Sequence, residues 1–221
     1  MKRNQSGFTL IEIAIVLVII GLLLGGILKG QELINSAKVK NLANDFKNIP
    51  VYIYGYQDKY KALPGDDIKL AAHLGASAVA CTPNGVANAC VQGNGVIDGT
   101  WNATTVADES YVFWQHIRMA GFGPGSTDTT NASGDYIPTN AVGGIIGVTN
   151  AAQSPITGLT GTYIVCSNSI PGKFAKQLDT TLDDGNTAAG SLMVATNTTG
   201  GAPIQTTNIV DDTTYLVCMG Y

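Results

Sequence analysis

One apolar stretch near the start of the chain limits its possible folds more than any other feature. It runs from Phe8 to Leu28 and carries a single charged residue, Glu12. As an α-helix, a stretch of this length would measure about 30 Å, which is the thickness of the hydrocarbon core of a bilayer. The sequence therefore predicts a transmembrane helix at this position.

The residues before the stretch predict its orientation. Residues 1–7 read MKRNQSG and include Lys2 and Arg3. Basic residues beside a span favour the cytoplasmic side, so the bulk of the chain is predicted to lie outside the cytoplasm. A cleaved secretory signal would have a shorter apolar core followed by a small-residue cleavage site. This stretch instead leads into a helical sequence, which favours a retained helix.

A plain membrane anchor would explain the length and orientation of the stretch but not the carboxylate of Glu12. A charged side chain inside a membrane span is unfavourable by a few kcal/mol and usually has a functional partner. Glu12 therefore points to a role beyond anchoring.

The segment Gly7-Phe8-Thr9-Leu10-Ile11-Glu12 is similar to the cleavage and methylation motif of type IV prepilins and type II secretion pseudopilins. The resemblance continues through the apolar stretch and into a polar helical sequence. In that family, a membrane-embedded prepilin peptidase cuts after the glycine and methylates the new N-terminal residue. The resemblance thus implies cleavage after Gly7 and N-methylation of Phe8.

The same resemblance gives Glu12 a role in assembly. After cleavage, Phe8 would carry a new amine about one helical turn from Glu12. The carboxylate could neutralise this amine in its own subunit or a neighbouring one, and a buried pair of this kind can set helix register. The alternative is that Glu12 lies near the membrane surface and is solvated.

The sequence departs from the family at the end of the apolar stretch. Many type IV pilins have a proline there, whereas this chain has Gly25 and Gly26 and no proline. Glycine weakens a helix, and it also allows two helices to approach closely. Local unwinding and close helix contact both remain open.

The resemblance implies an α+β fold in which the long N-terminal helix packs on an antiparallel β-sheet, and the remaining sequence offers the helices and strands for it. We expect four segments: a leader (1–7), a transmembrane or filament-core helix (8–28), an amphipathic half of the same helix (29–60) and a globular pilin-like domain (61–221). An apolar stripe is expected from Leu33 and Ala37 onward, and Pro50 is expected to kink or interrupt the helix. Further helices are predicted at 108–119 and between 171 and 182, and strands at 145–149, 163–166, 191–196 and 214–219.

The chain has four cysteines: Cys81, Cys90, Cys166 and Cys218. An even number in an exported chain favours two disulfides, although three connectivities are possible. A Cys81–Cys90 bridge would close a short loop. A Cys166–Cys218 bridge would hold the C-terminus to the sheet, much as the C-terminal disulfide loop does in type IV pilins. The spacing lacks a CxxC pair, which argues against a structural zinc site.

The glycine-rich segment 93–99 raises the question of a metal. Asn94 and Asp98 offer oxygen ligands of the kind that Ca²⁺ prefers, and Asp66 and Asp67 could converge on the same site. Some pseudopilins have calcium sites in such loops. The spacing is not that of an EF-hand, and Asn-Gly and Asp-Gly also form simple turns. We favour the turns and expect no obligatory cofactor.

Composition and the absence of certain motifs argue against two classes of function. Charged residues make up 13% of the chain and the net charge is −4, which argues against nucleic-acid binding. The sequence has no recognisable nucleophile–base pair, zinc-protease motif, phosphate loop or nucleotide fingerprint, so we predict no enzyme.

The resemblance implies a structural subunit of a type IV pilus-like filament that serves adhesion or motility. The alternatives are a minor pilin, a pseudopilin in protein secretion and, more remotely, a membrane-anchored periplasmic enzyme. The implied partners are further copies of the chain, other pilins, the prepilin peptidase, and the inner-membrane assembly platform with its ATPase. The implied location is the inner membrane before assembly, followed by an extracellular pilus or a periplasmic pseudopilus.

Overall fold

The computed structural model describes residues 10–83, 85–86, 89–196 and 201–221. Gly7 and Phe8, the predicted processing site, lie outside the described residues. The chain forms two compact units, Met1–Lys38 and Val39–Tyr221. The first unit consists of the beginning of a long helix, and the second contains the folded core.

Helix α1 runs from Leu10 to Tyr60 and confirms the predicted long helix. Its buried residues recur at intervals of three or four positions, as expected for one face of a helix. They are Val39, Leu42, Ala43, Phe46, Ile49, Pro50, Ile53 and Tyr56. The predicted apolar stripe is buried at Leu42, Phe46 and Ile49 but not at its first two residues. Leu33 is 62% exposed and Ala37 is also exposed, because both precede the part of α1 that enters the core.

Pro50 does not interrupt α1, contrary to one of the predicted outcomes. A proline has no N–H, so the carbonyl of Phe46, four residues earlier, loses its usual helical donor. The hydroxyl of Tyr221 donates to this carbonyl instead, at 2.7 Å. The last residue of the chain therefore supplies the hydrogen bond that Pro50 removes from α1.

The sheet has four antiparallel strands in the order β1-β2-β4-β3, and the predicted antiparallel architecture is confirmed. The strands are β1 (Ile146–Asn150), β2 (Tyr163–Pro171), β3 (Leu192–Thr196) and β4 (Thr214–Gly220). Each overlaps its predicted segment. In the register of β2 and β4, Cys166 lies opposite Cys218, and a disulfide joins them.

Alternate residues of the strands enter two different apolar layers, as the two-residue period of a strand requires. One set packs with α1 and the helices of the second unit; it includes Val165, Val194 and Val217. The other set, which includes the Cys166–Cys218 bridge, packs with Trp101 and Ile156 on the opposite face. At Gly147 in β1, a Cβ would overlap the carbonyl oxygen of Trp101, so only glycine fits there.

Three further helices complete the second unit: α2 (Leu70–Leu74), α3 (Glu109–Met119) and α4 (Gly172–Leu182). Helices α3 and α4 match the predicted ones, and the short α2 was not predicted. Asp108 directly precedes α3, and its side chain does not cap the helix. Gly121 follows α3 with a positive φ of 82°, which is the left-handed conformation expected after a helix end.

Helix α3 is buried on nearly all sides, including its polar residues. The guanidinium of Arg118 donates to the carbonyls of Pro124, Ser126 and Tyr136. Gln115 accepts from the N–H of Val79 at 2.7 Å. These bonds hold the long connecting segments against α3, because a buried polar group is stable only when its hydrogen bonds are satisfied.

Candidate functional site

The most extensive exposed apolar surface lies on the first unit. Its large hydrophobic side chains are between 46% and 89% exposed. They are Leu10, Ile11, Ile13, Ile15, Val16, Leu17, Val18, Ile19, Ile20, Leu22, Leu23, Leu24, Ile27, Leu28, Leu33 and Ile34. We call this set the apolar helix surface.

Contact between water and an apolar surface of this size is unfavourable. Burying one such side chain is worth roughly 1.5–3 kcal/mol, and contiguous exposed patches of this size mark contact sites. The helix is long and apolar enough to cross a membrane. The apolar helix surface must therefore be covered by lipid or by other apolar helices.

Charged residues lie near both ends of the apolar helix surface. Glu12 lies in the first turn of α1. At the other end, Lys29 and Glu32 form an exposed ion pair of 2.7 Å. This pair marks the point where the sequence of α1 changes from apolar to polar.

The glycines of the apolar stretch do not unwind α1 in the isolated chain. The helix is continuous through Gly21, Gly25 and Gly26, and a Cβ at any of the three would meet nothing within 4 Å. Space for a close helix–helix approach is thus present at these positions.

The structure brings three of the four predicted metal-site residues together. Asp66 accepts hydrogen bonds from the backbone N–H groups of Gly93, Asn94 and Gly95. The amide nitrogen of Asn94 donates to Asp98 at 2.8 Å. This is the turn arrangement that the sequence favoured, and calcium binding at these residues stays a prediction.

Asp67 faces a different set of partners. It accepts from the hydroxyl of Tyr56 at 2.8 Å and the backbone N–H of Lys69 at 2.8 Å, and it lies 2.6 Å from Nδ1 of His73. Although burial opposes its ionisation, these hydrogen bonds hold the pKa of Asp67 below its usual value. Asp67 thereby fixes α2 to α1.

Glu109 is a buried acid in the first turn of α3. It is fully buried, and its carboxylate accepts from the backbone N–H of Asp98 at 2.9 Å. Burial, and to a smaller extent the charges of Asp66 and Asp98, raise the pKa of Glu109 to about 8. Its burial depends on the loop folded over it, which no local pattern indicates.

His116 is fully buried in α3. Its Nδ1 accepts from the N–H of Gly65 at 2.9 Å, and its Nε2 lies 2.9 Å from the carbonyl of Val79, to which it donates. Burial lowers the pKa of His116 to about 4, so the ring is neutral near pH 7. The ring connects two separate loops to α3.

The second disulfide joins Cys81 to Cys90 close to Glu109. The two sulfurs are bonded to each other, so they are not available as metal ligands. Together with the bridge between β2 and β4, this accounts for all four cysteines.

Comparison with known proteins identifies the N-terminal region. The family model of the prokaryotic N-terminal methylation motif matches residues 2–28. The chain therefore carries the leader of type IV pilins and pseudopilins, a class of structural subunits. No curated protein and no solved structure gives a significant match to the chain.

Proposed function

We propose that this protein is a structural subunit of a type IV pilus-like filament. The observation that carries the proposal is the methylation motif at residues 2–28, which includes most of the apolar helix surface of α1. A leader of this class followed by an uncovered apolar helix is what a subunit needs to enter a membrane and then assemble through its helix.

The proposed assembly begins with insertion of α1 into the inner membrane, with the second unit outside the cytoplasm. A prepilin peptidase then cuts after Gly7 and methylates the amine of Phe8. The positive amine and the carboxylate of Glu12 attract each other, and in an apolar medium this attraction is strong. Pairing between neighbouring subunits would fix the axial position of each helix.

Filament formation then covers the apolar helix surface. Neighbouring helices replace lipid around residues 10–34, while the second unit of each copy faces outward. The assembly platform and its ATPase are the expected partners for the transfer from membrane to filament. Adhesion and motility are the proposed uses of the surface-exposed filament.

The matched motif is shared with pseudopilins, so a pseudopilus in protein secretion is the second candidate. The two candidates differ in where the processed chain accumulates. A pilus subunit is abundant in filaments outside the cell, whereas a pseudopilin or minor pilin stays mainly with the inner membrane.

The test is intact-mass and N-terminal analysis of the protein from sheared surface filaments and from the inner membrane of its host. We expect a mature chain that begins with N-methylated Phe8 and is abundant in the filament fraction. The same chain confined to the inner membrane would replace the pilus proposal with the pseudopilin or minor-pilin alternative. An unprocessed chain that begins at Met1 would overturn both.

A deletion strain separates a structural role from the remote alternative of a membrane-anchored enzyme. Loss of filaments without loss of a periplasmic activity supports the structural role. Intact filaments together with a lost activity would contradict it.

A further inference from the structure

Asp179, near the C-terminal end of α4, is a buried carboxylate in an unusual environment. Its side chain is 0% exposed, and neither oxygen has a hydrogen-bond partner among the described residues. The N–H of Gly185 faces the carboxylate but falls outside hydrogen-bonding geometry. Buried carboxylates in stable proteins are protonated, paired or bound to a cation.

Two more carboxylates follow directly after α4. Oxygens of Asp179, Asp183 and Asp184 all lie within 4.8 Å of one another. The N–H of Asp183 donates to the backbone carbonyl of Asp179 at 2.7 Å, which holds the turn close to the helix end. The three side chains therefore point toward a common region.

Backbone contacts fix the direction of the two loop carboxylates. Asp183 accepts from the N–H of Leu192 at 2.9 Å, and Asp184 accepts from the N–H of Asn186 at 2.9 Å. Each contact uses one oxygen. The anchoring of Asp183 also connects the end of α4 to the start of β3.

The surroundings do not supply a balancing positive charge. Within the described residues, no Lys or Arg forms an ion pair with any of the three aspartates, and the nearby Lys176 pairs with Asp211 at 2.5 Å. The C-terminal end of a helix also carries partial negative charge, which favours a cation there. Burial, and then the charges of Asp183 and Asp184, raise the pKa of Asp179 to about 6.

We propose that Asp179, Asp183 and Asp184 form a calcium site at the C-terminal end of α4. Ca²⁺ binds carboxylate oxygens at roughly 2.3–2.6 Å, so three ligands of one ion lie roughly 3–4.5 Å from one another. The oxygens of the three aspartates, all within 4.8 Å of one another, are close to this spacing. Asp184 is exposed, which gives the ion and its remaining water ligands access. This site is separate from the residues considered around segment 93–99.

The direct test is calorimetric titration of CaCl₂ into the full-length chain in detergent micelles, with MgCl₂ as the comparison. We expect one Ca²⁺ site and a higher unfolding temperature with Ca²⁺ than with EDTA, because a ligand that binds the folded state stabilises it. Asp184→Asn, at an exposed position, should fold normally and bind Ca²⁺ at least tenfold more weakly. Asp212→Asn, an exposed aspartate in the turn before β4, should bind like the native chain.

The unfolding temperature of the Asp179→Asn variant is a second test, because the substitution should have opposite effects without and with Ca²⁺. Removing a buried charge that has no partner should raise the unfolding temperature in EDTA, while it abolishes the further rise caused by Ca²⁺. A merely structural carboxylate would give a lower unfolding temperature in both conditions.

Two results would overturn the proposal. The first is no heat of binding and no change in unfolding temperature at millimolar Ca²⁺. The second is binding that survives Asp179→Asn and Asp184→Asn but is lost in Asp66→Asn or Asp98→Asn, which would place the ion at Asp66 and segment 93–99 instead.

Discussion

At the residue scale, Pro50 and Tyr221 form one hydrogen-bonding arrangement although 171 positions separate them in the sequence. Proline removes the helical donor to the Phe46 carbonyl, and the Tyr221 hydroxyl replaces it. Phe46 is almost fully buried, so water cannot take over this bond. A helix can therefore continue through a proline when the tertiary structure supplies the lost donor.

The Tyr221→Phe variant tests this arrangement. It keeps the ring that stacks on Tyr163 and removes only the hydroxyl. We expect a loss of about 1–3 kcal/mol in the free energy of unfolding, because a buried carbonyl is left without a donor. Urea unfolding of the full-length chain in detergent measures this loss.

The matched control is the same substitution in a Pro50→Ala background. An alanine at position 50 can donate its own backbone N–H to the carbonyl of Phe46, so the loss caused by Tyr221→Phe should become much smaller. Equal losses in the two backgrounds would show that the hydroxyl does not substitute for the helical donor.

The raised pKa of Glu109 leads us to expect that the stability of the folded chain depends on pH. Its pKa is about 8 in the folded chain, against an ordinary value of 4.5. Between these values the folded state binds more protons than the unfolded state, so the Glu109 contribution to stability falls as pH rises from about 4.5 to about 8. The contribution of His116 to stability has the opposite dependence on pH. Its pKa is lowered by burial, so the unfolded state binds more protons and stability falls as pH drops from about 6.5 toward about 4.

The Glu109→Gln variant should remove the part of the pH dependence that belongs to Glu109. We expect its unfolding temperature to decline less between pH 5 and pH 8 than that of the native chain, as followed by circular dichroism. Glu32→Gln, at an exposed position of α1, should retain the native profile. A Glu109→Gln profile parallel to the native one would contradict a raised pKa.

At the scale of elements, α1 has two parts with different surroundings. Its residues up to Lys38 belong to the first unit and expose their apolar side chains, whereas Val39 onward supplies one wall of the core. The second part is held by packing, since its buried positions follow helical spacing. The first part requires a partner outside the chain.

The Glu12→Ala variant tests the role of the first part in assembly. The substitution leaves the apolar stretch and the processing site intact, so membrane insertion and cleavage should continue. Incorporation into filaments should fall strongly, because the methylated amine of Phe8 loses its counter-charge. Immunoblots of sheared filaments and membranes measure both quantities, and Glu32→Ala is the matched control.

A different result would assign Glu12 to another role. Normal filament yield from Glu12→Ala would contradict pairing with the Phe8 amine. Loss of cleavage in this variant would show that Glu12 is needed before assembly begins.

At the scale of the whole molecule, the second unit contains both apolar layers, both disulfides and all four strands. These features predict that residues 39–221 fold without the membrane helix. A chain that begins at Val39 should be soluble and should unfold cooperatively in urea.

A shorter chain that begins at Pro50 is the control for that prediction. It lacks Leu42 and Phe46, which are buried in the core, and it should be markedly less stable or aggregate. Similar stability of the two truncated chains would mean that α1 residues 39–49 contribute little to the core.

The amino-acid sequence alone determined the features that depend on local patterns. The apolar stretch requires a nonpolar environment wherever it lies, and its motif indicates the class of leader. Strands and helices were predictable because alternating and helical spacings reflect which faces are buried. The pairing of Cys166 with Cys218 remained one of three possibilities until β2 and β4 were found side by side.

Only the tertiary structure decided which polar residues become buried and what they contact. Glu109, Asp179 and the Phe46 carbonyl are ordinary groups in their local sequences. They become unusual because loops fold over them, a neighbouring turn adds charge, or a distant residue supplies a donor. The free energy of a charge or polar group depends on the solvent and partners around it, and segments far apart in sequence create those surroundings.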